Sequence, residues 1–229
     1  MPGPASGEWA REGRCTRCGI RTATPCGVIA PADLDVPGSR TAAAGETLFT
    51  QGDPARWLFQ LRTGVVRVCI DGADGRRQVT DFILPGDRFG FPGSGTYAFT
   101  AEAVETCDLC VFDAAQLRER ARRHPDFALR LAELEGGDLD RLRRHLYFMG
   151  RGTAVERVAA FLAWLAERAD AATFLLPATR REIADYLALA PETVSRVLTR
   201  LARDGVLEAR GQRSMTILDP ARLAELGRV

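Results

Sequence analysis

Three cysteines stand close together near the start of this 229-residue chain, in the run Cys15-Thr-Arg-Cys18-(x7)-Cys26. A fourth candidate, Cys110, comes much later, at the end of a stretch that reads as β-rich. Thiolates brought together from distant segments are what a soft metal ion or an iron–sulfur group requires. A second constellation lies further on: Glu192, Thr193, Ser195 and Arg196, with Arg200 one turn beyond. These are hydrogen-bonding and charged side chains at helical spacing, suited to base edges and phosphates. What either group can do depends on the elements that carry it.

Composition bounds the chemistry. Hydrophobic residues make up 46% of the chain, enough for packed cores, and 27% are charged. The net charge is +1, so any basic surface must be local. All 31 basic residues are Arg, so no Arg carries weight merely for being one. No apolar run approaches the ~20 residues of a membrane span, and the first residues lack the apolar stretch of a signal peptide. The chain reads as cytoplasmic, with no membrane partner. There, structural disulfides are disfavoured and a Cys-x-x-Cys spacing points to metal or redox chemistry. A thiol oxidoreductase using Cys15 and Cys18 would need that motif at a helix N-terminus in a βαβ setting, whereas here it precedes an all-β segment. His124 and His145 have no partner constellation. The chain is therefore not expected to be an enzyme.

The periodicity supplies the elements. Glu46 to Asp53, Trp57 to Gly64, Val65 to Gly72 and Gln78 to Asp87 are short apolar or alternating runs closed by Gly and Asp, which predicts an all-β sandwich or roll. A last strand is expected near Ala101 to Phe112, carrying Cys107 and Cys110. Alternation puts Cys107, Leu109 and Val111 on one face and Cys110 on the other. Cys69, within Val-Arg-Val-Cys-Ile, reads as a small buried apolar residue. Leu139, Leu142, Leu146 and Met149 then follow 3-4-3 spacing, the seam of a two-helix packing, with Asp138 as a cap after a Gly136-Gly137 break. Such a seam packs either on its own domain or on a second copy.

Two capping boxes follow, Thr153-Ala-Val-Glu156 and Thr179-Arg-Arg-Glu182, each opening a helix. Pro191 suits the first turn of a third helix, which should end at Gly205. A hairpin over Val206–Gly211 and Ser214–Leu218 completes a winged helix-turn-helix. In that motif the second helix enters the major groove. Glu192, Ser195 and Arg196 share its exposed face, opposite Val194, Val197, Leu198 and Leu201. Arg can pair with guanine, Glu can accept from cytosine, and Ser can bond either base or phosphate. Arg200, Arg203, Arg210 and Arg213 would contact phosphates. A solvated face with an i,i+4 Glu192–Arg196 pair is the bland alternative.

The chain resembles the CRP/FNR superfamily of bacterial transcription regulators over nearly its whole length. Gly45-Glu-Thr-Leu-Phe-(x2)-Gly-Asp53, Gly64-Val-Val-Arg67, Leu84-Pro-Gly-Asp-Arg-Phe-Gly90 and Ala101-Glu-Ala-Val-Glu-Thr106 resemble its β-roll turns. Thr179 to Arg196 resembles its DNA-reading motif, and Glu-x-x-Ser-Arg is the pattern of the FNR branch. The resemblance implies an α+β fold. A Cys-containing cluster-binding arm would span 1–30 and a β-roll sensory domain (a double-stranded, cupin-like β-helix) 31–118. A dimerisation helix would span 119–150 and a winged helix-turn-helix 151–229. It further implies a homodimer through Leu139, Leu142, Leu146 and Met149, a palindromic TTGAT-type site in double-stranded DNA, and RNA polymerase as a partner. In the FNR branch three N-terminal cysteines and one from the roll hold a 4Fe-4S cluster. Cys15, Cys18, Cys26 and Cys110 match, with the seven-residue gap of the FnrN-like group, although Cys107 is a rival for the fourth place. Oxygen would convert or destroy the cluster and release the DNA-binding dimer. A four-thiolate zinc site is the alternative for the same ligands, and some members of the family have no metal. The CRP branch holds a cyclic nucleotide with an Arg-Ser pair; Gly93 to Ala101 has no Arg, so no cyclic nucleotide is expected here.

Overall fold

The computed structural model describes residues 38–91, 95–211 and 213–228. It divides into two compact units, 1–136 and 137–229. Among the described residues no helix is long and apolar enough to cross a membrane.

The first unit is a β-roll followed by helices. Its strands are β1 (Gly38–Ala42), β2 (Thr47–Phe49), β3 (Trp57–Thr63), β4 (Val66–Asp71), β5 (Arg77–Ile83), β6 (Arg88–Phe89), β7 (Thr100–Ala103) and β8 (Cys107–Asp113). They form two antiparallel four-stranded sheets, ordered β1-β8-β3-β6 and β2-β7-β4-β5. Both sheets contribute to one core: Phe59, Leu61, Leu109 and Val111 from the first, Phe49, Val66, Val68 and Ala101 from the second. Aromatic rings thicken it. Phe49 stacks on Tyr97 at 3.7 Å between centroids and Phe59 on Phe89 at 5.3 Å. The Tyr97 hydroxyl donates to the Trp57 carbonyl at 2.9 Å and accepts from the Trp57 N–H at 3.1 Å, so this buried phenol is satisfied. On β7, the nearly buried Glu102 is held by Arg67 and by Arg77, each at 2.7 Å.

The run from Ala101 to Phe112 is two strands in different sheets, not one. Val104-Glu105-Thr106 turns the chain between them. Helix α1 (Ala114–Arg123) follows, capped by Asp113, whose carboxylate accepts from the N–H groups of Ala115 and Gln116. Helix α2 (Pro125–Arg151) then runs for 27 residues without a break. The expected stop at Gly136-Gly137, with Asp138 as cap, is thus corrected. Two glycines cost a helix about 1 kcal/mol each relative to Ala, and a long helix packed elsewhere along its length absorbs that.

The second unit holds the rest of α2, then α3 (Ala154–Ala169), β9 (Thr173–Leu175), α4 (Arg180–Tyr186), α5 (Pro191–Arg203), β10 (Leu207–Arg210), β11 (Ser214–Ile217) and α6 (Pro220–Leu226). Both expected capping boxes are formed, Thr153 with Glu156 and Thr179 with Glu182. Pro191 opens α5 and Gly205, at φ +73, follows its end. The wing has a third strand that the periodicity does not announce: β9 pairs with β11.

Gly64 fixes the turn between β3 and β4. Its φ is +88, and a Cβ there would lie 2.6 Å from the Thr106 carbonyl oxygen and 2.7 Å from Cys107 Sγ. Gly64→Ala should destabilise the first unit by about 2–5 kcal/mol, combining left-handed strain with overpacking. A urea titration reads this as a lowered midpoint at unchanged slope; an unmoved midpoint would mean that the turn has slack.

Candidate nucleic-acid interface and thiol site

Helix α5 is buried on one side and open on the other because its apolar residues recur at i, i+3, i+4 and i+7. Val194, Val197, Leu198 and Leu201 are buried. Glu192, Arg196 and Arg200 are exposed, and Thr193 and Ser195 are half-buried. Ser195, Arg196, Thr199, Arg200 and Arg203 together line a shallow depression along the open side. Ser195, Arg196 and Arg200 of the sequence-derived residues thus share that depression, and Glu192 and Thr193 are not in its lining.

Its internal bonds differ from the expected ones. Arg196 does not pair with Glu192 in the way the bland alternative requires; its Nη2 donates to Thr193 Oγ1 at 3.1 Å. Thr193 thus orients the guanidinium across the first turn of the reading helix. Arg200 and Arg203 both reach the Asp204 carboxylate, at 3.5 and 3.4 Å. These pairs are exposed and worth little in water, so phosphate oxygens can replace them. Arg210, on the wing, is exposed beside Glu208 at 3.1 Å. Arg213 is different. Its Nε donates to the Leu176 carbonyl at 3.0 Å, tying the wing to the segment after β9. This bond gives Arg213 a structural role in addition to the phosphate contact expected of it.

On the seam, Leu139, Leu142 and Leu146 are 47, 43 and 68% exposed, while Met149 is half-buried. Three leucines on one helix left this open in a single chain form an apolar surface of the kind that marks an interface. His145, beside them, stacks on Tyr186 with ring centroids 4.2 Å apart. His124 is exposed and ends α1.

Cys15, Cys18 and Cys26 lie outside the described residues, so of the four candidate ligands the structure addresses Cys110 alone. Strand β8 keeps its alternation: it pairs with β1 in unbroken register from Cys107 to Val111. Cys107, Leu109 and Val111 enter the roll interior. Cys110 enters a second cluster with Leu58, Phe112, Leu117, Phe127 and Leu131, on the opposite face. The two thiols also differ chemically. Cys107 Sγ lies 3.3 Å from the Val65 carbonyl and 3.2 Å from the Glu105 carbonyl, and burial pushes its pKa up. It is a protonated donor committed to the main chain, the opposite of what a ligand must be. Cys69 is buried, and burial raises its pKa too, against the pull of the Arg77 guanidinium.

Sequence reasoning did not single out Arg157. Its guanidinium donates to main-chain carbonyls at the end of α2 and at the end of α4. The available signal was an Arg one residue after a capping box that itself follows Gly152.

Residues 39–124 match the cyclic nucleotide-binding domain, and residues 156–226 match the Crp-like helix-turn-helix domain. The nitrogen fixation regulation protein FixK of Bradyrhizobium diazoefficiens is 37% identical over 221 residues, 93% of this chain and 93% of that protein. The transcriptional activator protein FnrL of Cereibacter sphaeroides is 36% identical over 226 residues, 93% of this chain and 91% of that protein. The solved structure of FixK2 from Bradyrhizobium japonicum is similar with a TM-score of 0.81 and 34% identity, covering 85% of this chain and 98% of that one. A roll, a long helix and a wing with an open face on its second helix, matched over 93% of the chain by such relatives, place it in the CRP/FNR family of DNA-binding transcription regulators, on its FNR branch.

Proposed function

We propose that this regulator is a homodimer that reads a TTGAT-type palindrome, with its input at a 4Fe-4S cluster held by Cys15, Cys18, Cys26 and Cys110. The observation that carries the output is the open face of α5, where Thr193 presents the Arg196 guanidinium beside Glu192 and Ser195. Leu139, Leu142 and Leu146 would be covered by their counterparts in a second copy. Two reading helices then address half-sites about 34 Å apart. Transcriptional output implies RNA polymerase as a further partner.

The input is supported by the donor set. Cys107 faces the roll interior, while Cys110 lies on the opposite face of β8, buried in the second apolar cluster with Leu117, Phe127 and Leu131, which would have to admit the iron–sulfur group. A 4Fe-4S cluster would supply sensitivity to oxygen. Cys110 would hold it from a strand whose other face is fixed in the core, so one ligand is rigid.

A cyclic nucleotide has no part in this reading. Tyr97, from the stretch where the CRP branch is expected to carry its phosphate-binding pair, is turned inward onto Phe49 and hydrogen-bonded to Trp57, and Phe99 packs against the same core. Millimolar cyclic AMP should leave both the melting temperature and the operator affinity unmoved; a rise in either would place a nucleotide site in the roll.

Two substitutions separate base reading from phosphate contact. Arg196→Ala should lose about 1–3 kcal/mol of discrimination against a changed half-site. Arg200→Ala should weaken all duplexes alike and lower the salt slope by about one. Fluorescence anisotropy on matched and scrambled duplexes measures both; equal effects of the two variants would remove Arg196 from base readout.

The cluster is tested by anaerobic reconstitution with iron and sulfide. Broad visible absorbance, about four iron and four sulfide per chain and tighter operator binding are expected, all lost in air. Cys110→Ala should lose the full iron and sulfide content. If it retained them the ligand assignment would fail, and zinc in place of iron in the purified protein would replace the cluster with a structural four-thiolate site.

A further inference from the structure

The joint between α2 and α3 is only two residues long, Gly152 and Thr153. The Thr153 N–H donates to Glu156 Oε2 at 2.6 Å, and that bond holds the Glu156 carboxyl below its usual range. One turn into α3, Arg157 spreads its guanidinium over carbonyls from two other helices. Nε donates to the Gly152 oxygen at 2.9 Å and Nη2 to the Met149 oxygen at 2.8 Å, both at the C-terminal end of α2. Nη1 donates to the Leu187 oxygen at 3.0 Å and lies 3.4 Å from that of Ala188.

Leu187 caps α4, and Ala188 begins the turn into the reading helix with φ +50. Carbonyls at helix ends have no partner within their own helix, and a cation there is favoured by the helix dipole. A single planar fork satisfies two such ends at once, which the single ammonium point of a lysine cannot match in geometry. Gly152 fits the same arrangement. A Cβ on it would lie 3.2 Å from Arg157 Cγ and 2.9 Å from the Phe148 oxygen, so the absence of a side chain is what lets the Arg157 stem pass.

We propose that Arg157 is a positioning residue for operator reading: by joining the last turn of α2 to the turn before α5 it sets the half-site spacing that the dimer accepts. The inference rests on the dimeric reading above. A dimer gains from its second half-site only through the effective concentration that its geometry allows. A stiff joint concentrates that gain at one spacing, and a loose one spreads it.

The test uses the full chain and two kinds of DNA. One is a duplex with a single TTGAT half-site; the other is a set of palindromes with the native spacing or with two or four inserted base pairs. Wild type should prefer the native spacing. Arg157→Met should bind the single half-site within about threefold of wild type, while its preference for native over inserted spacing falls about tenfold or more. Arg157→Lys should show the same loss, because charge alone does not restore the fork. Gly152→Ala, which displaces the stem, should shift in the same direction by less. A parallel fall in half-site and palindrome binding would make Arg157 a folding residue only and overturn the proposal. So would a spacing preference equal to that of wild type. Wild type that ignores spacing would remove the dimeric reading and the clamp with it, whereas discrimination shared by wild type and Arg157→Met removes the clamp alone.

Discussion

Strand β8 has to be buried on both faces. It is an inner strand of its sheet, between β1 and β3. One face closes the roll with Leu109 and Val111, and the other receives Leu117 of α1 and Phe127 and Leu131 of α2. The period of two divides its residues between these environments from Leu109 to Phe112, while Asp108, on the Cys110 face, instead accepts from the Thr41 hydroxyl. The roll's core, the seating of the first turns of α2 and the chemical difference between two cysteines three residues apart all follow from that one alternation. A slip of one residue would exchange the two thiols and open both cores.

The reading head depends on a different period in the same way. The spacing that buries Val194, Val197, Leu198 and Leu201 leaves Glu192, Arg196 and Arg200 nowhere to go but outward. In the proposed reading, function is laid on the side of α5 that folding does not use, and the residues meant for bases can be chosen for DNA because the buried ones already hold the helix.

Much of this was legible in the sequence. Strands closed by Gly and Asp, two capping boxes, Pro191 at a helix start and Gly205 at its end are local signals with local causes, and all appear where expected. What was not legible has tertiary causes. The strand β1, Gly-Ser-Arg-Thr-Ala, carries little apolar pattern and exists because β8 offers it an edge. β9 is three residues long and is defined by pairing with β11. The turn at Val104-Glu105-Thr106 contains no Gly, Pro or Asn, so one apparent strand hid two. In α1 the buried residues are Ala114 and Leu117, too thin a stripe to announce a helix. Gly136-Gly137 misled in the other direction, since propensity yields to the length of α2. Arg196 was singled out by its chemistry, but its hydrogen-bond partner was not, because Thr193 and Glu192 are both within reach along the helix. Arg157 was passed over, and the tie that Arg213 makes was not foreseen beside its expected phosphate contact, because their acceptors are main-chain carbonyls, which leave no trace in side-chain patterning.

That last feature has an evolutionary side. The acceptors of Arg157 belong to Met149, Gly152 and Leu187 through their backbones, not their side chains. Met149 and Leu187 can therefore drift to other residues that keep the helices in place without disturbing the bonds they receive. The exposed positions of α5 make none of these bonds. Under the two proposals above, new operator sequences would be explored by changing Glu192, Ser195 or Arg196 while the frame that carries them is inherited unchanged, so what is read and how far apart it is read would be free to diverge independently.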